Sequence, residues 1–171
     1  MAAGRVLLLT GVPGIGKTTI IRQVAQRLKD SAIRGFFTEE MREAGKRQGF
    51  RLVAFDGTAK VIAHVEFPKI HRVGKYGVAV GVIDDAADRL ALDPDAEIFL
   101  VDEIGKMECL SERFITAMRR LLSGPRPMVA TIALHGGGFI AEAKRAAAVT
   151  IWEVNYANRD TLAEHVIKWL A

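Results

Sequence analysis

Cysteine occurs once in 171 residues, at Cys109. One thiol excludes an intrachain disulfide and any zinc site built from clustered cysteines, and it fits a reducing, cytoplasmic setting. The four histidines, His64, His71, His135 and His165, include no pair at metal-ligand spacing on one helix. Long apolar runs are missing too. The longest stretch without a charge, Pro127 to Ala141, falls short of the ~20 apolar residues a membrane-spanning helix needs, and it carries three glycines and a histidine. Arg5 followed by Val6-Leu7-Leu8-Leu9 imitates the start of a secretory signal, but the run stops at Thr10-Gly11. A membrane is therefore not an expected partner. Charge of one sign is scarce: 24 Lys and Arg against 20 Asp and Glu leave +4, too little for a protein that coats nucleic acid. Internal repeats and low-complexity linkers are absent.

What is present is apolar. Half of the residues are hydrophobic, enough to fill a sizeable core, and the length suits one domain over residues 1–171. Val6 to Thr10 is short, apolar and ended by glycine, which predicts a strand buried on both faces of a sheet. Ile20, Ile21, Val24 and Leu28 recur at helical spacing, predicting a helix from about Lys17 to Lys29. From Ile33 to about Val65, short apolar runs alternate with turn signals at Gly45-Lys46 and Asp56-Gly57, a β-hairpin-rich insert. Pro68 to Gly77 reads as a loop. Further on, helices are expected over Ile83–Leu92, from Ser111 to Gly124, up to Arg145, and from about Asn158. Strands are expected over Ile98–Val101, Met128–Leu134 and Val149–Val154. Strands alternating with helices imply an α/β fold, three layers about a mostly parallel central sheet.

Two patterns carry chemistry. Gly11-Val12-Pro13-Gly14-Ile15-Gly16-Lys17-Thr18 satisfies G-x-x-x-x-G-K-[ST] at every fixed position. The glycines let the backbone curl so that several N–H groups face an anion, and the following helix adds its positive end. Lys17 is placed to neutralise β- and γ-phosphate oxygens, and the Thr18 hydroxyl to bind Mg²⁺. The second pattern is Ile98-Phe99-Leu100-Val101 followed by Asp102-Glu103. A carboxylate at the C-terminal end of a buried strand lies on the ligand-binding edge of an open α/β sheet. Asp102 is then the acid that orients Mg²⁺, and Glu103 the group that polarises a water for attack.

With both patterns in view, Asp102-Glu103-Ile104-Gly105-Lys106-Met107-Glu108 resembles the signature of the THEP1 family of nucleoside triphosphatases. So do Gly35 to Glu43 with Arg47 and Gly49-Phe50, Arg72 to Val78, and Trp152-Glu153-Val154-Asn155 with Asn158-Arg159-Asp160. The resemblance covers nearly the whole chain. It implies a P-loop domain that hydrolyses nucleoside triphosphates such as ATP and GTP to diphosphates with Mg²⁺ and little base preference. Nucleotide contacts would then run over Gly11, Val12, Pro13, Gly14, Ile15, Gly16, Lys17, Thr18 and Thr19. They would continue over Val101, Asp102, Glu103, Ile104, Gly105, Lys106 and Met107, and reach Asn158. Lys17, Glu103 and Lys106 would be catalytic, and Thr18 and Asp102 would hold the metal. The chain departs from the family after its short helix, where an Arg and an Asp are usual and Lys144-Arg145-Ala146-Ala147-Ala148 stands instead.

A γ-phosphate in its transition state calls for a further cation. The candidates are Arg42, Arg47, Lys75, Lys106 and Arg145, with Lys106 favoured by its place just beyond Asp102-Glu103. The excess charge is local. Residues 34–75 hold nine Lys and Arg against five acids, an excess sized for one triphosphate. Asn158-Arg159-Asp160 can reach a base or ribose, or can simply start the last helix. His135 is a candidate sensor of the γ-phosphate. Phe36-Phe37, Cys109, Met107, Met118 and Met128 read as packing side chains. Two other functions stay open: a small-molecule or nucleotide phosphotransferase, which needs an acceptor pocket and usually an arginine-rich lid, and a nucleotide-gated, RNA-associated adaptor. For the lid, Arg145 is the only arginine between Met128 and Arg159. No RRM, KH or zinc-knuckle pattern supports RNA binding. A monomer is expected.

Overall fold

Strand β1, Val6–Thr10, is buried along its whole length. The chain leaves it through a tight turn and enters helix α1, Lys17–Arg27, at Gly16, whose φ of 112° places it in the left-handed region that glycine tolerates. Ile20, Ile21 and Val24 of α1 are buried. The computed structural model describes residues 4–171. Beyond α1 come β2 (Ile33–Glu43), β3 (Lys46–Ala54), β4 (Ala59–His64), β5 (Arg72–Val73), β6 (Tyr76–Val78), α2 (Val80–Leu92) and β7 (Ile98–Ile104). A 3₁₀ turn at Glu108–Leu110 leads to α3 (Glu112–Ser123), β8 (Met128–Ile132), α4 (Gly138–Lys144), β9 (Val149–Glu153) and α5 (Leu162–Leu170). Ser111 caps α3 by accepting a 3.0 Å hydrogen bond from the Phe114 amide, a contact worth ~1 kcal/mol.

Among the described residues, nine strands form one sheet in the order β5-β6-β4-β3-β2-β7-β8-β1-β9. β2, β7, β8, β1 and β9 pair in parallel. β3, β4, β6 and β5 add to β2 by antiparallel pairing. The sheet is therefore mixed, with as many antiparallel as parallel joins, rather than mostly parallel. The reason lies in β2, which pairs with β7 over Ile33–Phe36 and with β3 over Phe36–Glu43, so the hairpin residues continue the sheet.

Alternate residues of the parallel strands face two apolar layers. On one side Leu7, Leu9, Ile98, Leu100 and Val129 pack with α1 and α5. On the other Val6, Leu8, Phe99, Val101, Met128 and Ala130 pack with α2, α3 and α4. Because β1, β7, β8 and β9 are parallel, their C-terminal ends share one edge of the sheet, which gathers the chemistry-bearing residues there.

Local differences from the sequence expectation have plain causes. The segment expected as a loop over 68–77 contains β5 and part of β6, because Tyr76, Gly77 and Val78 are buried against the insert. Helix α2 starts at Val80, before Ile83. Strand β7 continues past Val101 to Ile104, so Asp102 and Glu103 lie within it. The last helix begins at Leu162, since Asn155 and Asn158 close a turn of their own ahead of it.

Candidate functional site

The loop between β1 and α1 winds around the side chain of Lys17, which is buried and donates from Nζ to the Gly11 carbonyl at 2.7 Å. Gly14 and Gly16 both adopt positive φ, 78° and 112°, which bends the loop. Val12, Pro13, Gly14 and Thr19 are exposed, and Ile15 is buried beneath them. A concave run of amides, a helix start and a buried ammonium make a receptor for a polyanion.

Asp102 is the polar centre of the facing side. It is 1% exposed, yet every oxygen is satisfied. Oδ2 accepts from Thr18 Oγ1 at 2.8 Å and from the amide and hydroxyl of Thr38, both at 3.2 Å. Oδ1 accepts from Thr131 Oγ1 at 2.6 Å. One carboxylate and the Thr18 hydroxyl thus sit at a distance that suits two neighbouring oxygens in the shell of a hard divalent cation. Substrate oxygens and waters normally complete such a shell for Mg²⁺. Among the described residues no cluster of three or more His, Cys, Asp or Glu is built to hold a metal unaided.

Glu103 follows Asp102 directly and still serves the same edge. The β7–β8 register shifts between Val101 and Ile104, an irregularity that re-aims side chains out of strict alternation. Glu103 lines a cavity of about 250 Å³ with Thr38, Lys106, Glu108 and His135. Burial raises its pKa, and the Asp102 charge raises it further, while Lys17 opposes both. A carboxylate pushed up in this way is a better proton acceptor near neutral pH.

Glu108 lies behind Glu103, 4% exposed. Burial, and then the Glu103 charge, push its pKa up to about 8, so it is largely protonated at neutral pH. Gly105 makes this crowding possible. A Cβ there would stand 2.7 Å from Glu103 Oε1 and 3.0 Å from Glu108 Oε2. Cys109 packs beside the pair, and burial with the Glu108 and Glu103 charges pushes its thiol up to about 12, which suits packing and not nucleophilic chemistry.

The remaining sequence candidates divide. Val101 and Ile104 are fully buried in the core, so they offer backbone, not side chains, to a ligand, while the half-buried Met107 lines the Glu103 cavity. Lys106 is exposed on the rim of the Glu103 cavity, and the exposed His135 lines the same space. Arg42 and Arg47 are turned to other work. Both bind the Glu40 carboxylate, at 2.7 and 2.8 Å, and Arg47 also donates to the Tyr76 hydroxyl. Arg51 pairs with Glu39 and Arg34 with Asp93, so much of the insert's cationic charge is answered within the fold. Lys75 lies over the Tyr76 ring. Arg145 is exposed just past α4, near Glu142. Asn158 does not cap α5; its amide oxygen accepts from the Asn155 amide, and its nitrogen donates to the Glu153 carbonyl.

Sequence gives no site role to three residues near the loop, Thr38, Thr131 and Lys144, and it offers Arg159 only as part of the Asn158-Arg159-Asp160 stretch. Thr38 and Thr131 hold Asp102. Thr131 carries only the signal of a threonine near the end of a buried strand, which ordinarily means β propensity, and Thr38 lies inside the Gly35–Glu43 stretch with nothing local to mark its hydroxyl. Lys144 donates from Nζ to the Leu134 carbonyl at 2.8 Å. Burial and then the charge of Lys17 lower its pKa, so its ammonium lies within electrostatic reach of Lys17. Arg159 reaches the Ile15 carbonyl at 3.4 Å. A separate, larger cavity of about 400 Å³ lies under α2, lined by Phe36, Leu52, Lys60 and Arg89 among others; it shares no residue with the loop–Asp102 site.

A sheet edge that combines an anion-cradling loop with a buried aspartate defines a nucleotide-handling α/β protein. The profile of the NTPase family matches residues 6–167, and the chain belongs to that family. It is 36% identical over 167 residues to the nucleoside-triphosphatase THEP1 of Thermotoga sp. strain RQ2, covering 96% of this chain and 94% of that protein. The human cancer-related nucleoside-triphosphatase is 34% identical, with 95% of each chain covered. The crystal structure of THEP1 from Aquifex aeolicus superposes with a TM-score of 0.85 at 30% identity, covering 96% of this chain and 98% of that one.

Proposed function

We propose that the protein hydrolyses nucleoside 5′-triphosphates to the diphosphate and inorganic phosphate, in a P-loop site that uses Mg²⁺. The observation that carries this is the 2.8 Å hydrogen bond from Thr18 Oγ1 to Asp102 Oδ2, which joins the phosphate-loop pattern to the acidic strand end. The family relationship supports the same reaction.

The loop N–H groups between Gly11 and Thr18, Pro13 having none, and the start of α1 hold the phosphates. Lys17 leaves the Gly11 carbonyl for β- and γ-oxygens when a triphosphate arrives. Thr18 and Asp102 would hold Mg²⁺, with Thr38 and Thr131 fixing the carboxylate. Bound there, the metal would neutralise charge on the β- and γ-phosphate oxygens. Glu103 accepts a proton from a water as its oxygen bonds to the γ-phosphorus. The bond from that phosphorus to the β,γ-bridging oxygen breaks, and its electron pair leaves with the diphosphate. Lys144, within electrostatic reach of Lys17, and Lys106, on the cavity rim, supply further positive charge.

The test follows phosphate release from ATP, GTP, CTP and UTP with Mg²⁺ and no acceptor. Release from all four that disappears in Lys17→Ala is expected. Turnover that begins only when an acceptor alcohol or nucleotide is added would replace hydrolysis with phosphotransfer.

A further inference from the structure

Tyr156 is a large aromatic residue left 76% exposed, at the edge where the proposed phosphate site lies. Its ring is not loose. The Arg159 guanidinium stands over it, 4.9 Å from the ring centre. Arg159 is itself tied to the phosphate loop. Its Nη1 donates to the Ile15 carbonyl at 3.4 Å, and its Cδ lies 4.0 Å from the point where a Cβ on Gly16 would stand.

The turn that carries both side chains is built rigidly. Asn155 Oδ1 accepts from the amides of Ala157 and Asn158 at 2.9 and 3.0 Å. Asn158 Oδ1 accepts from the Asn155 amide at 2.9 Å, and Asn158 Nδ2 donates to the Glu153 carbonyl at 2.8 Å. Just upstream, the Val154 amide donates to the Thr10 carbonyl at 2.7 Å, and a Cβ on Gly11 would meet the Val154 carbonyl at 2.8 Å. The turn therefore packs against the root of the phosphate loop.

We propose that Tyr156, backed by Arg159, is the stacking surface for the base of the bound nucleotide. This rests on the nucleotide site proposed above. A base stacked on a ring and a guanidinium is held by its π-face, which purines and pyrimidines share, so affinity comes with little discrimination. The Asn158 amide is held by backbone through its oxygen and through its nitrogen, which fixes its orientation within the turn. Asn158 is thus a positioning residue for the turn. A tyrosine suits the task because it brings a wide face with few torsions to freeze.

The experiment measures equilibrium dissociation constants for non-hydrolysable analogues of ATP, GTP, CTP and UTP, and for inorganic tripolyphosphate, on the wild type, Tyr156→Ala and Tyr156→Phe. Tyr156→Ala should weaken all four nucleotides by about 5- to 100-fold, leave tripolyphosphate unchanged, and be rescued by Tyr156→Phe. Unchanged nucleotide affinity would overturn the proposal, and so would an equal loss for tripolyphosphate, which would mean damage to the phosphate loop. A wild type that binds the nucleotides in this pattern but releases no phosphate would refute hydrolysis and leave the stacking surface standing.

Discussion

Thr18 and Asp102, 84 residues apart in the chain, are joined by a hydrogen bond of 2.8 Å, with Thr38 and Thr131 completing the shell of the carboxylate. With the Thr38 amide, four donors hold one buried acid in a single orientation. Replacing Asp102 by Asn puts an amide NH₂ where a carboxylate oxygen accepted these donors, so it disturbs both the local network and any bound cation. Asp102→Asn should lower kcat by about a hundredfold or more, with a steeper demand for Mg²⁺, while Thr38→Ser keeps most of the activity. A magnesium titration of steady-state phosphate release checks both variants.

Glu108 gives the protein a distinctive pH response. Its pKa moves from 4.5 to about 8 on folding, so between these values the folded chain binds a proton that the unfolded chain lacks. Stability is fully present below about pH 4.5 on this group's account and is lost as pH rises through about 8. The acids held down by partners, Glu40, Asp56 and Asp93, act at lower pH and with the opposite sign. Denaturant unfolding at pH 5, 7 and 9 should show wild-type stability falling more steeply than that of Glu108→Gln, which stays neutral throughout.

Lys144, not Arg145, is the residue beyond β8 that feels the charge of Lys17. It is anchored on the Leu134 carbonyl, whereas Arg145 is exposed. A cation added to the γ-phosphate in the transition state accelerates P-loop reactions by ~10³–10⁵ in the strongest cases. Lys144→Ala should therefore lower kcat by at least ~10-fold, while Arg145→Ala stays within ~2-fold of the wild type. Single-turnover phosphate release by the two variants separates them from an effect on product departure.

The parts that sequence foretold are those whose chemistry is local. The glycines, Lys17 and Thr18 form one uninterrupted stretch, and Asp102 follows four apolar residues, so neither depends on knowing which distant segments meet. What escaped depends on non-local pairing. The insert extends the sheet because β2 pairs with β7 on one side and with β3 on the other, a choice no single window of residues records. Thr38 and Thr131 matter because parallel pairing puts their strands on either side of β7. Arg42 and Arg47 looked available because their sequence neighbourhood is basic. In the fold they share Glu40, a pairing created by hairpin register. Asn158 reads in the sequence equally as a base or ribose contact and as a helix cap; in the fold its side chain closes the turn with Asn155 and caps no helix.

Glu103→Gln is the change that reaches the proposed chemistry most directly, because it keeps the shape of the side chain and removes its ability to accept a proton. The measurement is phosphate release under single-turnover conditions, with nucleotide affinity determined in parallel. Hydrolysis driven by Glu103 predicts a loss of ~10²–10⁴ in rate with affinity retained. An unchanged rate with binding intact would contradict it.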